Sequence, residues 1–546
     1  MSASSKKKLR NEQLSGKLTE RQLEEQKKNK EVRMYTIGFT VVLVLLVAVA
    51  LIVGGMQIYN NSGVKDRSTV AYTVGDHDIN SATMGYFFTD SVNNFVNQYG
   101  AYASMFGLDT TKPLDQQYVD EEKTRTWADD FMDSAKESAK TVYALVDEAN
   151  AAGHKVTDAQ QEQVDTALEN MEAAAKANGF GGLKGYLKAV YGSGASADSY
   201  REYMEASMLA DSYRAAKAES LVYEDADLRE AEKDNYDEYS SFSYHQYYVA
   251  ASRFLEGGTE DAEGNKTYSE EENAAAAAAA EEAAKVLTAD TVKSVEDLDK
   301  AIAALDINKE TPDAASTAYD HNAYSSIPTE VSGWITDASR KAGDVTYIAS
   351  TSTTADEEGN ETTKTVGYNV IFFEGKDDNT EILPNVRHIL VSFEGGVQGE
   401  MGQMVYSDEE KAAAKAKAEE LLAQYEAGVK TEDSFAALAT ENTKDPGSKD
   451  NGGLYENVFR GQMVPTFNDW CFDESRKAGD TGIVETDFGF HVMYYCGEGS
   501  SSYRDLQIRQ ELVSADMEKW FKDVMDAAVT ADGDLSLIRT DLVLSR

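Results

Sequence analysis

Only two cysteines, Cys471 and Cys496, occur in 546 residues. Two thiols cannot build a disulfide framework, and both lie on apolar segments about twenty-five residues apart. A single disulfide and two buried free thiols fit the sequence equally. Basic charge is also scarce over most of the chain. The formal net charge is −44. Residues 1–33 carry ten Lys/Arg against five Glu, so the rest of the chain bears −49. That excess disfavours nucleic-acid binding, which rests on Lys and Arg neutralising phosphates. It reads as a solubilising surface. Charge is wholly missing from Tyr35 to Met56, a run through Val41-Val42-Leu43-Val44-Leu45-Leu46-Val47. About 20 such residues span the hydrocarbon core of a bilayer. The run is longer than the apolar part of a cleavable signal, Gly54-Gly55-Met56 is a poor cleavage site, and no cysteine follows for lipidation. We expect an uncleaved signal anchor at 34–56. The basic residues 1–33 would then be cytoplasmic, and everything after the anchor extracytoplasmic.

A chain of this length needs several cores. Residues 57–67 read as a polar linker, followed by a strand at Val70–Val74. Trp127, Phe131, Ala135, Val142, Leu145 and Ala149 then recur at three- and four-residue spacing, the stripe of an amphipathic helix. Thr157 with Gln160 is a capping box for a helix through Val164, Leu168 and Met171 that stops near Gly179. Further helices are expected over 181–191 and 197–221. Gly497-Glu498-Gly499-Ser500-Ser501-Ser502 reads as a linker. Beyond it, Leu512, Val513, Met517, Trp520, Phe521 and Val524 mark another amphipathic helix, which must dock to bury its stripe.

Two histidines stand in matching strand-like frames: His388 in Val386-Arg387-His388-Ile389-Leu390-Val391, and His491 in Phe488-Gly489-Phe490-His491-Val492-Met493. Between them come Asp445-Pro446-Gly447-Ser448, Gly452-Gly453-Leu454, and Gly461-Gln462-Met463-Val464-Pro465-Thr466-Phe467. In this order the segments of 383–498 resemble a parvulin-type peptidyl-prolyl cis-trans isomerase. The resemblance implies an α+β unit, a four-stranded antiparallel sheet with helices. It implies His388, Asp445 and His491 as the catalytic group, and Leu454, Met463, Phe467 and Thr486 as substrate-binding residues. Gly453 and Tyr455 depart from the family's Gly-Asp-Leu-Gly. A slip in Glu441–Ser448 would put Asn442 in the place of Asp445. The helices before this unit resemble the chaperone domain of PrsA/SurA-type extracytoplasmic foldases. In such foldases the C-terminal segment returns to the N-terminal helices. On that basis 57–239 and 503–546 form one discontinuous all-α chaperone domain.

Residues 240–380 repeat the pattern in degenerate form. Ser339-Arg340-Lys341-Ala342-Gly343-Asp344 is identical to Ser475-Arg476-Lys477-Ala478-Gly479-Asp480, and Trp334 matches Trp470. Gly367-Tyr368-Asn369-Val370 matches Gly489-Phe490-His491-Val492, and His245 aligns with His388. Asn369 in place of a histidine and the lack of an Asp-Pro-Gly-Ser loop predict a second parvulin-like unit without activity.

Isomerising an Xaa-Pro bond crosses a barrier of ~18–20 kcal/mol without breaking a bond. What is needed is preferential binding of the twisted amide, each ~1.36 kcal/mol giving tenfold in rate. An apolar wall and a few fixed polar groups suffice, and no cofactor is implied. A metal site is not expected, because no H-x-x-x-H, cysteine pair or acidic ligand cluster accompanies the histidines. Ser392-Phe393-Glu394-Gly395-Gly396 offers no base, which argues against phospho-Ser/Thr-Pro specificity. The blander readings are a hydrogen-bonded core pair of histidines, and Met463 and Phe467 as ordinary core. The sequence is thus compatible with an isomerase and foldase acting on unfolded or partly folded secreted clients. It is also compatible with a holdase whose parvulin-like units are scaffold or peptide clamps.

Overall fold

The computed structural model describes residues 62–233, 235–260, 266–311, 313–355, 361–399 and 402–544. The expected anchor at 34–56 lies outside them. Among the described residues, no helix is long and apolar enough to cross a membrane. The chain is mixed α+β, with all sheet pairings antiparallel, and it divides into two compact units.

The first unit joins residues 62–221 to residues 516–544. Long helices Ser81–Tyr99, Trp127–Ala151, Asp158–Ala177 and Ala197–Glu219 dominate it. Thr157 and Gln160 exchange the reciprocal bonds of a capping box, which satisfies donors that a helix start leaves orphaned. Trp127, Phe131 and Ala135 of one stripe are buried with Tyr72, Phe87 and Phe88. Leu145 and Ala144, farther along the same helix, pack with Ala210 and Val524, against which Trp520 and Phe521 lie. The return of the chain is therefore apolar in origin. It is also backbone-paired: Thr530–Asp532 adds a strand to Val70–Val74, and Ile538 enters the same core. That strand has no signature in the sequence. The segment expected as linker is helical over Val64–Ser68, and a Cβ on Gly63 (φ 69°) would collide with the Ser193 carbonyl.

The second unit, Val222–Ala515, holds two four-stranded sheets of the same strand order. The first runs Thr317–Ala323, Ser241–Ala250, Glu361–Asp377, Val345–Ala355. The second runs Leu454–Tyr455, Ile382–Ser392, Gly489–Ser502, Thr481–Thr486. Each receives one short helix on one face, Thr329–Ile335 or Pro465–Cys471. Each receives two helices on the other, Glu270–Leu287 with Val295–Ala303, or Asp408–Ala427 with Glu432–Asn442. Strand alternation sorts the side chains. Val386 and Met493 enter the cluster with Phe467 and Trp470, while Ile389, Val492 and Tyr494 enter the cluster with Leu421 and Phe435.

The first unit is not all-α as expected, because Thr530–Asp532, Val70–Val74 and His77–Asn80 form an antiparallel sheet in it. A second expectation changes and one open alternative closes in the other unit. The Gly497–Ser502 tract is not a linker but the end of the His491 strand, with Glu498 opposite Pro384 and Ser502 opposite Ile382. A Cβ on Gly499 would sit 3.0 Å from the Leu383 carbonyl, so the glycine permits that close pairing. The cysteines are both free. Cys471 packs with Trp470 and Cys496 against the Leu421 cluster, on opposite faces of one sheet. Burial pushes both thiols up to about 12.

Candidate functional site

His388 shares a strand face with Val386, two residues away, so its imidazole points toward the Phe467 cluster. His491 shares its face with Met493. In the register, Met493 lies opposite His388 and Leu390 opposite His491, so the two imidazoles are diagonal neighbours on one face. Their rings stack at 5.2 Å between centroids, 18° from parallel, and their Nδ1 atoms meet at 3.0 Å. Both are buried.

The loop after Glu432–Asn442 supplies the rest. Thr443 Oγ1 accepts from the backbone N–H groups of both Leu390 and Asp445. Lys444 donates to the Leu390 carbonyl. The loop is thereby stitched to the His388 strand, and Asp445 Oδ2 lies 3.0 Å from His388 Nε2. Ser448 Oγ donates to the same oxygen at 2.5 Å and Tyr455 OH at 2.9 Å. Asn442, the alternative to Asp445, instead donates to Leu438 of its own helix.

A carboxylate only accepts, so His388 directs an Nε2–H at Asp445. One hydrogen bond joins the Nδ1 atoms of the two imidazoles, and His491 Nε2 lies 2.9 Å from Thr486 Oγ1. Thr486 Oγ1 in turn accepts from the Phe488 N–H. A chain of hydrogen bonds thus runs from Phe488 through Thr486 and the two imidazoles to an ionised Asp445. The hydrogen bond from His388, with those from Ser448 and Tyr455, holds the Asp445 carboxyl well below the usual carboxylate range against the cost of burial. Burial first, then the neighbouring His388, pushes His491 down to about 3. Burial, then Asp445, pushes Tyr455 up to about 12.

Phe467 forms the apolar wall. It meets both imidazoles edge-on, at 5.4 and 5.3 Å, and Met463 and Val464 pack against its cluster. Leu454 is set apart from this wall. It lies opposite Arg387, and facing residues in an antiparallel pair share a face, so it is on the side away from His388. Tyr455, opposite Val386, takes the site face instead. Beside Thr486 a cleft of about 360 Å³ opens between Phe393, Tyr406, Val464 and Pro465. Among the described residues, no group of three His, Cys, Asp or Glu side chains is arranged to hold a metal ion.

The structure thus brings together His388, Asp445, His491, Thr486, Phe467 and Met463. It adds Ser448 and Tyr455, which sequence reasoning passed over. Ser448 was visible as a hydroxyl three residues after Asp445, but a turn motif does not say where a hydroxyl points. Gly453 explains its own departure from the family pattern. It has φ 75°, and a Cβ there would sit 2.3 Å from the His388 carbonyl, so this loop cannot carry an aspartate at that position unchanged.

In the first sheet the corresponding positions are different residues. Ile371 lies opposite Gln246, and Tyr248 opposite Asn369. Gln246, not His245, is therefore the counterpart of His388, and Gln246 Nε2 donates to Asn369 Oδ1 at 2.8 Å. His245 lies one residue over, and its Nδ1 is 2.9 Å from Ser316 Oγ.

Residues 368–495 match the model of a family described as the PPIC-type PPIase domain. Chaperone SurA of Chromohalobacter salexigens is 38% identical over 108 residues, 18% of this chain and 24% of that protein. Foldase protein PrsA of Halalkalibacterium halodurans is 31% identical over 112 residues, 20% of this chain and 30% of that one. The chain therefore matches less than a third of the length of these curated relatives. The crystal structure of PrsA from Bacillus subtilis aligns over 77% of this chain and 93% of that one, at 13% identity and a TM-score of 0.26. The unit built around His388 and His491 is a parvulin-type peptidyl-prolyl isomerase domain, in a chain similar to the SurA and PrsA chaperone-foldases.

Proposed function

We propose that this chain is a membrane-anchored, extracytoplasmic prolyl isomerase and foldase acting on Xaa-Pro bonds of secreted polypeptides. The observation that carries the reading is the relay from Thr486 through His491 and His388 to Asp445, beside the Phe467 wall. Isomerisation needs a site that favours the twisted amide over either planar form. Phe467 and Met463 offer apolar contact to a prolyl ring. Asp445, held by Ser448 and Tyr455, is a fixed negative charge in a partly buried place, where electrostatic effects are stronger than in water. No covalent step is needed, and a carboxylate suits this role better than a nucleophile. The buried histidines keep the loop and the sheet in register and orient Asp445.

The reading is tested by isomer-specific assays of the full chain on Ala-Pro and Leu-Pro peptides. We expect acceleration that Asp445→Ala removes. A folded wild-type chain that suppresses aggregation of clients without accelerating any such peptide would establish the holdase reading instead. The anchor at 34–56 is proposed from the uncharged run and its basic prefix. Protease added to wall-free cells should digest the part beyond the anchor, and protection of that part would reject the topology.

A further inference from the structure

Five residues separate Met56, where the uncharged run ends, from Ser62, the first described residue. A chain of that length reaches at most about 20 Å. Where it enters the helical unit it is pinned. Gly63 presses on the Ser193 carbonyl, Arg67 donates to the Gly194 carbonyl at 3.0 Å, and Ser193 Oγ donates to Asp66. The entry point therefore lies beside the C-terminal end of the Leu183–Tyr191 helix, in the same unit. This corner is basic in an acidic chain. Acids outnumber bases 96 to 52 in the sequence, yet residues 180–196 hold Lys184 and Lys188 and no acid. The two lysines stand one turn apart on one helix face. Lys65 and Arg67 lie on the pinned segment, and none of the four forms an ion pair with a carboxylate among the described residues. The acids around them are engaged already: Asp66 by Ser193, Asp534 by Ser536, and Glu172 by Lys176 and the Leu183 N–H. Arg539 donates to the Ala189 carbonyl beside them, its charge offset by Asp541. Lys65, Arg67 and Lys184 are exposed, and so are the apolar Val64 and Phe180. Phe180 meets Tyr186 of the Leu183–Tyr191 helix edge-on at 5.4 Å.

We propose that this corner of the helical unit rests on the extracytoplasmic surface of the membrane and binds the anionic headgroups of its lipids. The inference rests on the reading of residues 34–56 as a membrane anchor. Two observations select that occupant. The first is reach. A chain that leaves the bilayer and is pinned within about 20 Å keeps this corner of the unit at the headgroup layer. The second is charge. Each lysine or arginine close to an anionic leaflet is worth about fivefold in binding, whereas the rest of so acidic a chain is repelled by it. Exposed apolar side chains beside bases, as Val64 is beside Lys65, have the make-up of an interfacial surface. An ordinary solvated face intersperses acids with its bases, as the Asp158–Ala177 helix does with Glu172 and Lys176. Contact of this kind sets the orientation of the unit on the membrane, which a tether alone does not.

The test uses the full chain in vesicles of phosphatidylcholine alone or mixed with phosphatidylglycerol. Lysines are acetylated with an amine-reactive ester and their modification rates read by mass spectrometry. Lys155 is the internal reference. It is exposed and precedes the far end of the Asp158–Ala177 helix, about 30 Å from the basic corner. We expect Lys65 and Lys184 to react at least about fivefold more slowly, relative to Lys155, in the anionic vesicles than in the neutral ones. High salt should abolish the difference. Lys184→Glu with Lys188→Glu should abolish it at Lys65 without lowering the melting temperature. Were that variant to misfold, the lipid and salt dependence of the wild type still decides. Equal rates in the two lipids overturn the proposal. So does a difference that high salt leaves intact, or equal protection of Lys155. Failure of the anchor is read separately, as a chain that does not float with neutral vesicles after an alkaline wash. Flotation with anionic vesicles at low salt, wild type against the double variant, then decides the basic corner. Equal flotation of the two, or none of either, rejects it.

Discussion

Gln246 donates to Asn369 across the same pair of sheet positions at which His388 meets His491 in the neighbouring sheet. An amide pair preserves the cross-strand hydrogen bond and discards the titratable groups. The sheet geometry therefore does not require imidazoles, and the histidines answer to the Asp445 loop that only the second sheet has.

All prolyl isomerase activity of the full chain should thus reside in the second sheet. Asp445→Ala should lower kcat/KM at least about tenfold, equivalent to ~1.4 kcal/mol of lost transition-state stabilisation. Gln246→Ala should leave it unchanged. Activity surviving in Asp445→Ala and vanishing in Gln246→Ala would reverse the assignment of the two units.

Tyr455 and Ser448 share one oxygen of Asp445. Tyr455→Phe keeps the ring and removes one donor, so it should cost about threefold to tenfold in kcat/KM with little change in melting temperature. Ser448→Ala acts on the same oxygen, and the double variant should show less than the sum of the two losses. Strict additivity would mean the two hydroxyls do not act on a common group.

Phe467 is buried and touches both imidazoles. Phe467→Ala should destabilise its domain by about 3–5 kcal/mol, which confounds any activity measurement. Phe467→Leu keeps most of the volume and should cost under about 1.5 kcal/mol. A loss of turnover in the Leu variant, with chemical denaturation nearly unchanged, would separate the substrate contact from the packing.

Acid should destabilise the second sheet earlier than ordinary carboxylate titration would. His491 is held down to about 3, whereas an unfolded histidine titrates near 6.5, so below that pH the unfolded chain binds a proton that the folded chain refuses. The stability associated with the neutral ring is full above about 6.5 and falls as pH drops toward 3. Asp445, also held low, adds a loss below about 4. The urea midpoint should decline between pH 7 and 4.5, and His491→Gln should flatten that decline. An identical slope in wild type and variant would contradict the buried neutral imidazole.

Removing residues 516–546 strips Val524 and Ile538 from two apolar clusters and the Thr530–Asp532 strand from Val70–Val74. The helical unit should then melt earlier by circular dichroism. An unchanged transition would mean the returning segment adds nothing to its stability.

Much of this was local and therefore legible. The Trp127 stripe and the Thr157–Gln160 capping box depend on residues three or four apart, as do the β-branched frames around His388 and His491. The order of His388, Asp445, Met463, Phe467 and His491 along the chain carried the family resemblance. Net charge and the uncharged run at 35–56 needed no folding at all. What the tertiary structure decided were the relations that depend on register and approach. A one-residue step moves a strand residue to the other face, so Gln246 rather than His245 stands in the place of His388, and Tyr455 rather than Leu454 reaches the site. The same alternation, with helices on either side, parts Cys471 from Cys496. Gly497–Ser502 is composed like a linker, yet it is strand because Pro384 and Ile382 lie opposite. Backbone pairing between distant segments leaves no mark in local composition, because its donors and acceptors are common to every residue.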